Sequence, residues 1–267
     1  MILFPNAKIN IGLNIVEKRN DGFHNIETVF YPVKIHDSLE VIEAGETRFF
    51  AYGTTIPGTA DDNICLKAYE LLKRDYNLPS IHIHLLKNIP VGAGLGGGSA
   101  DAAYMIRLLD QKFELGLQTQ QMQQYARQLG SDCAFFIENK PVFAYGKGDE
   151  FVSQEIDLDR YFLVLVKPPV HVSTADAYGG CKPAKPASSL QMLLHLPILE
   201  WKALVNNDFE ATVFPKYPEI AALKKELYDN GALYASMSGS GSSVFGIFKE
   251  PILLPQLEKD NKVFYGV

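Results

Sequence analysis

Residues 90–100 read PVGAGLGGGSA, and five of the seven positions from Gly92 to Gly98 are glycine. Glycine loses the most backbone entropy on folding, so such density needs a reason. One reason is positive φ; the other is backbone N–H groups that a ligand can approach with no Cβ in the way. Ser99 and Ala100 then open an Ala-rich helical pattern, Ala100-Asp101-Ala102-Ala103. Free amides and the positive end of a helix dipole make a ready phosphate site. A Walker A loop ends in Gly-Lys-Ser/Thr, and Gly98-Ser99-Ala100 has no lysine. A dinucleotide fingerprint fits Gly92 to Gly97 literally, but it belongs in a βαβ unit with an acid closing the next strand. Here a second helical pattern follows at 119–129 instead, and Asp110 stands on a helix. The Rossmann reading loses.

Other side chains stand where chemistry is possible, each with an ordinary alternative. Lys8 lies in AKINIGLNI (7–15), where Ile9, Ile11, Leu13 and Ile15 alternate with Lys8, Asn10, Gly12 and Asn14. Lys8 alone fits a solvated strand face, yet two asparagines on that face suggest polar work, since asparagine is a poor strand former. His24 follows the turn Arg19-Asn20-Asp21-Gly22 and by itself is an ordinary surface or core histidine. Asp132 follows the helix stop Gly130 and is equally a helix cap. His82 and His84 resemble a metal pair, but no third ligand is evident, so they read as a strand face. A second Gly/Ser loop, Met237-Ser238-Gly239-Ser240-Gly241-Ser242, is a hairpin turn or, beside the first loop, a second wall for one anionic ligand.

These residues sit in a chain of 267 with 47% hydrophobic residues and net charge −6. That suits one large domain or two ordinary ones with a proper core. Nothing in the charge calls for a nucleic-acid or membrane partner, so phosphate has to be held locally. Cys65, Cys133 and Cys181 show no metal spacing and no disulfide framework. With no secretory signal or bilayer-length apolar run, a cytoplasmic protein is expected.

The elements that must position the site follow from periodicity. Strands are expected at 7–15, 26–33, 38–44 and 81–85, with 48–52 pairing alongside. Residues 54–62 form a Gly/Pro/Asp loop, after which Asn63 caps a helix over 64–76. Residues 141–145 and 151–153 flank Gly146-Lys147-Gly148-Asp149 as a hairpin. A buried strand at 161–166 starts a fresh pattern, which places a domain boundary near residue 152. Beyond the Pro-containing loop 182–189 come helical patterns at 189–194, 198–205 and 220–230, then strands at 232–236 and 244–248.

Taken together, these segments resemble the GHMP kinase superfamily, named after galactokinase, homoserine kinase, mevalonate kinase and phosphomevalonate kinase. Its middle motif, P-x-G-x-G-L-G-S/G-S/G-A/S, is met by residues 90–100; its first lies in the N-terminal strand and its third in a C-terminal Gly-rich loop, here 237–241. Residues 5–13 (PNAKINIGL), 21–24 (DGFH), 94–99 (GLGGGS) and 130–132 (GSD) bring it nearest the branch acting on a cytidine-diphosphate alcohol derived from methylerythritol.

The resemblance implies an α/β (α+β) fold of two domains, ribosomal-protein-S5-like over 1–152 and ferredoxin-like over 153–267, with ATP and substrate meeting in the cleft between them. It implies phosphorylation of the substrate's 2-hydroxyl by ATP, with Mg2+ expected alongside the nucleotide and no residue named for the metal. Pro90, Val91, Gly92, Ala93, Gly94, Leu95, Gly96, Gly97, Gly98, Ser99 and Ala100 become the ATP loop. Lys8 and Asp132 become the catalytic pair: the carboxylate takes the hydroxyl proton, and the lysine keeps it ionised and offsets charge on the moving phosphoryl group. Asn10, Phe23, His24 and Tyr178 become substrate contacts, with Phe23 and Tyr178 sandwiching the cytosine and His24 hydrogen-bonding it. The branch more often has tyrosine where Phe23 stands and phenylalanine where Tyr178 stands; both stacking faces survive the exchange. The partners implied are small molecules, with no nucleic acid and no membrane.

Overall fold

The computed structural model describes residues 1–59 and 62–267. Of the expected loop 54–62, Ala60 and Asp61 lie outside the described residues. In chain order the strands are β1 (Ile2–Leu3), β2 (Asn6–Lys18), β3 (His24–His36), β4 (Ser38–Glu43), β5 (Arg48–Gly53), β6 (Ile81–Lys87), β7 (Val142–Tyr145), β8 (Glu150–Ser153), β9 (Phe162–Lys167), β10 (Tyr234–Met237), β11 (Val244–Phe248) and β12 (Lys262–Tyr265). The helices are α1 (Ile64–Asp75), α2 (Gly97–Phe113), α3 (Thr119–Leu129), α4 (Phe135–Glu138), α5 (Thr174–Tyr178), α6 (Leu190–Leu193), α7 (Ile198–Leu204), α8 (Glu210–Val213), α9 (Pro218–Asp229) and α10 (Pro255–Glu258). Two compact units interleave along the chain: residues 1–7, 35–91 and 96–140 form the first, and residues 8–34, 92–95 and 141–267 the second.

The first unit is built on a mixed sheet of order β1-β4-β6-β5, in which only β5 and β6 run parallel. The alternation Ile81, Ile83, Leu85 in β6 and Leu39, Val41 in β4 buries one face of that sheet. Helix α2 packs on β4 and β1 and against α1, α3 and α4. Residues 100–106 of α2 are all buried, which is why this stretch is small and apolar almost all round. The one charged residue in it, Asp101, is therefore conspicuous. Asn63 caps α1 as expected, its side chain accepting from the Cys65 N–H.

The second unit holds two four-stranded sheets. One has the order β2-β3-β7-β8, and its β7–β8 hairpin turns through Gly146 and Gly148 at φ 65° and 86°. The other, β10-β11-β9-β12, is antiparallel throughout. Strand succession β9, then β10 and β11, then β12, with helices before β10 and before β12, is the βαββαβ succession of a ferredoxin-like domain. Its core joins Val164, Val166, Leu223, Leu227, Met237 and Val244. No helix among the described residues is long and apolar enough to cross a membrane.

Candidate active site

Strand β2 is buried on both faces over its first eight residues, so the polar face is not a solvated one. Lys8 is 4% exposed and Asn10 2%. Burying an ammonium demands partners, and the second unit supplies them in a chain of hydrogen bonds. Lys8 Nζ donates to Asn10 Oδ1 at 2.5 Å and lies 3.5 Å from the Gly94 carbonyl. Asn10 Nδ2 donates to Thr28 Oγ1 at 3.0 Å, and Thr28 Oγ1 donates to the Gly12 carbonyl at 2.6 Å. Lys8 Nζ also lies 4.7 Å from the Phe30 ring centroid. Both ends of the Asn10 amide are thus committed, and the amide fixes where the ammonium points.

The glycine loop is ordered by its neighbours as much as by its own residues. Gly92, Gly94 and Gly96 have φ of 62°, 76° and 67°, the left-handed region that glycine enters freely. A Cβ on Gly94 would come 2.0 Å from the Ser238 carbonyl oxygen, so only glycine lets the two loops meet. They are stitched there: Ser238 Oγ donates to the Gly94 carbonyl at 2.8 Å, Ser243 N–H to the Ala93 carbonyl at 3.2 Å, and Lys8 N–H to the Leu95 carbonyl at 2.9 Å. In the first unit Gly96 is the N-cap of α2 and, being glycine, gives no side-chain cap, so the first-turn amides of α2 are left without one. Beside them, space lies open where a Gly98 side chain would stand.

Asp132 sits half-buried in the turn 131–134 between α3 and α4. The N-cap of α4 is Ala134, so Asp132 does not cap that helix, and Ser131 Oγ lies 3.3 Å from its Oδ1. Its neighbour Cys133 is buried. Burial pushes the Cys133 thiol up to about 12, against the pull of Ser99 and with the push of Asp132. Cys133 is consequently a neutral strut.

The aromatic residues differ from a simple sandwich. His24 and Tyr178 stack directly on each other, with ring centroids 4.6 Å apart and planes 17° off parallel. Phe209 meets Tyr178 edge-on at 4.8 Å, while Phe23 is 59% exposed with Lys147 Nζ 5.4 Å from its ring centre. Burial, and secondarily Lys18, lowers the His24 pKa and keeps its ring neutral near neutral pH. Within the same unit lies a cavity of about 490 Å3 lined by Asn14, Lys182, Lys185, Asp208 and Thr212 among others. Asp208 accepts from the Ile15 N–H at 2.7 Å.

The second unit therefore gathers Lys8, Asn10, Phe23, His24, Tyr178, Gly92, Ala93, Gly94 and Leu95; the first holds Pro90, Val91, Gly96, Gly97, Gly98, Ser99, Ala100 and Asp132. Family models agree with both halves: "GHMP kinases N terminal domain" matches residues 63–146 and "GHMP kinases C terminal" residues 195–259. The 4-diphosphocytidyl-2-C-methyl-D-erythritol kinase of Bacteroides fragilis is 54% identical over 252 residues, covering 93% of this chain and 92% of its own. That of Porphyromonas gingivalis is 44% identical over 97% of this chain and 95% of its own. The chain belongs to the 4-diphosphocytidyl-2-C-methyl-D-erythritol kinases, within the GHMP kinases. A crystal structure of a 4-(cytidine 5'-diphospho)-2C-methyl-D-erythritol kinase superposes with TM-score 0.85 at 26% identity, covering 100% of this chain and 98% of that one. The Methanococcus jannaschii mevalonate kinase shares the fold at TM-score 0.71 and 12% identity over 99% of this chain and 97% of its own.

Against this family background, sequence reasoning passed over two groups of residues. Lys182 and Lys185 belong by composition to a polar loop, although two lysines three apart in an acidic chain hint at an anion. Asp37, Lys87 and Asp101 form a buried charge cluster that no local pattern announces. Among the described residues, no group of three or more His, Cys, Asp or Glu side chains is placed to hold a metal by itself.

Proposed function

We propose that this member of the family transfers the γ-phosphoryl group of ATP to the 2-hydroxyl of 4-diphosphocytidyl-2-C-methyl-D-erythritol, in the cytoplasm, in the supply of isoprenoid precursors. The observation that carries the reading is the Lys8 ammonium, held by Asn10 within 3.5 Å of the carbonyl of Gly94. A buried cation aimed at a glycine loop is what phosphoryl transfer uses, because that reaction is mostly positioning and charge neutralisation. Residues 90–100 take the ATP phosphates, chiefly through the first-turn amides of α2. Asp132 accepts the hydroxyl proton as the hydroxyl oxygen bonds to the γ-phosphorus and the bond to the β-bridging oxygen breaks, leaving ADP. Lys8 steadies the transferred group, and Asn10 serves the substrate by orienting Lys8. The His24–Tyr178 pair and Phe23 receive the cytosine, with neutral His24 as its hydrogen-bonding partner. Lys182 and Lys185, at the cavity beside them, suit the substrate diphosphate. Mg2+ would arrive with the nucleotide and neutralise its phosphates, since this ion is commonly bound through substrate phosphates rather than in a protein cage. A division into residues 1–152 and 153–267 is in keeping with family matches that end at 146 and resume at 195.

The test supplies ATP with the cytidine-diphosphate alcohol, mevalonate, homoserine or galactose. The expected result is equimolar ADP and a new phosphomonoester resonance by phosphorus NMR with the cytidine substrate alone. Faster turnover of another alcohol would overturn the assignment of the acceptor.

A further inference from the structure

The first unit contains a buried charge knot at the root of the glycine loop that catalysis as described does not use. Lys87, the last residue of β6, donates to Asp37 Oδ2 at 2.5 Å and to Asp101 Oδ2 at 2.6 Å, and all three side chains are almost wholly buried. Asp37 sits at the corner between β3 and β4, and its Oδ1 accepts the N–H groups of Asn88 at 2.6 Å and Ile89 at 2.8 Å. Those two residues are the path into the loop. Asp101 lies on α2, the path out. A Cβ on Gly97, the first residue of α2, would come 3.0 Å from Lys87 Nζ. The ammonium is thus directly behind the helix start, where glycine alone leaves it room. One atom is left over: among the described residues Asp101 Oδ1, fully buried, meets no hydrogen-bond donor.

Three buried charges with no exposed member are expensive, and swapping such groups for apolar ones is often neutral or stabilising. A purely structural clamp at this place has no need of them. What the charges add is a fixed cation behind a helix N-terminus, a place the helix dipole itself makes unfavourable for a cation. An anion in front of that helix reverses the sign. We propose that Asp37, Lys87 and Asp101 are positioning residues for the nucleotide, joining both ends of the glycine loop and setting the charge behind the amides that face the ATP phosphates. This rests on the reading of residues 90–100 as the ATP loop.

The proposal has a pH signature. Burial pushes the Asp101 carboxyl up to about 8, against the pull of Lys87 and with the repulsion of Asp37. Lys87 stays charged: burial opposes its charge, but the two carboxylates outweigh it and raise its pKa. The remaining titratable neighbours are Cys65 on α1 and, beyond it, Cys133; burial holds both thiols neutral, Cys65 well above its usual range. With Asp101 protonated, the knot carries Lys87 against Asp37 and is neutral. As Asp101 ionises, the knot turns negative and repels an anion at the helix start. ATP affinity therefore falls as pH rises through the Asp101 titration.

The experiment uses the full chain and measures ATP dissociation from about pH 7 to about pH 9, together with KM for ATP and for the cytidine substrate. The parent is expected to bind ATP progressively more weakly across that range, and Asp101→Asn to lose this dependence. Asp37→Asn is expected to raise KM for ATP about tenfold or more, the worth of charge-assisted hydrogen bonds, with KM for the cytidine substrate changed by less than about threefold. An Asp101→Asn variant with the parent's pH profile would overturn the proposal, as would a folded Asp37→Asn variant with parent KM for ATP. If Asp37→Asn does not fold, the Asp101→Asn profile decides alone. Gly98→Val is the control for the loop. If it raises KM for ATP while the knot variants do not, only the positioning role fails; if Gly98→Val also leaves ATP binding untouched, the loop assignment falls first and the knot proposal with it.

Discussion

A Cβ added at Gly97 would meet Ile89 Cγ2 at 2.8 Å and Lys87 Nζ at 3.0 Å, whereas one added at Gly98 would meet nothing within 4 Å. Neighbouring glycines thus answer to different demands, one to packing and one to open space at the helix start. Gly98→Val is expected to fold like the parent and to raise KM for ATP, because its side chain enters the space in front of the amides. Gly97→Val is expected instead to lower the urea midpoint, since overpacking costs about 1–3 kcal/mol. Parent-like ATP kinetics in a folded Gly98→Val would leave the loop with only a structural role. Asp132→Asn removes a proton acceptor without removing a helix cap, because α4 is capped at Ala134. Stability is expected to hold while kcat drops by roughly two to four orders of magnitude, the usual worth of a general base. Lys8→Met is expected to lower kcat and also stability, by about 1–3 kcal/mol, since it strips a donor from the buried Asn10 Oδ1. A fully active Asp132→Asn enzyme would remove Asp132 from the base role. The glycine loop could be read from sequence because its five glycines fall within seven consecutive residues, 92–98. The knot of Asp37, Lys87 and Asp101 could not, because its members lie 50 and 14 residues apart and meet only in the fold.

At the scale of elements, long periodic stretches were readable, as were short ones marked by turn residues, such as the hairpin of 142–145 and 150–153; short elements without such marks were not. Strand β2 and helices α1 and α3 follow from alternation, a capping Asn63 and apolar spacing. Alternation did mislead about β2 in one respect: it marked Lys8 and Asn10 as a polar face without showing that this face is covered too. Strand β12 and helix α5 were missed. Four or five residues have little stability of their own; β12 exists because it pairs with β9, and α5 because Ala177 and Tyr178 pack on the core of the second unit. That dependence makes α5 a sensitive point, since it presents Tyr178 to His24. Its N-cap is Ser173, whose hydroxyl accepts from the Asp176 N–H at 3.0 Å. Ser173→Ala is expected to loosen this single turn by about 1 kcal/mol. Kinetics would show it as a raised KM for the cytidine substrate with KM for ATP unchanged. Tyr178→Ala goes further along the same axis, by about 1–3 kcal/mol for a lost stacking face. If KM for the cytidine substrate stays put in both variants, the base binds elsewhere.

For the whole molecule the informative quantity is how folding stability depends on pH, because this chain buries acids that its surface charge does not reveal. Asp101 has its carboxyl pushed up to about 8 by burial, and burial also raises the half-buried Asp208 and the partly buried Glu27. An acid with a raised folded pKa holds its proton in the folded state at pH values where the unfolded chain has released it. Between the unfolded and folded pKa values the folded state therefore binds more protons, and stability falls as pH rises. For Asp101 that window runs from the ordinary aspartate range, about 4, up to about 8. Its slope is bounded by one proton, roughly 1.4 kcal/mol per pH unit. Other carboxylates protonate at the acidic end, and His24, lowered by burial, moves stability the opposite way up to the ordinary histidine range, so the clean interval is from about pH 7 to about pH 8. Urea titrations there are expected to show the midpoint moving down with rising pH and the m-value unchanged. Asp101→Asn keeps the shape of the side chain and cannot ionise, so its midpoint is expected to vary less over the same interval. At the top of the interval Asp101→Asn should approach or exceed the parent in stability, because only the parent then carries a second buried negative charge beside Asp37. Parallel midpoint curves for parent and variant would mean that Asp101 keeps one charge state throughout, and the buried knot would then be an ordinary ion cluster with no titrating member.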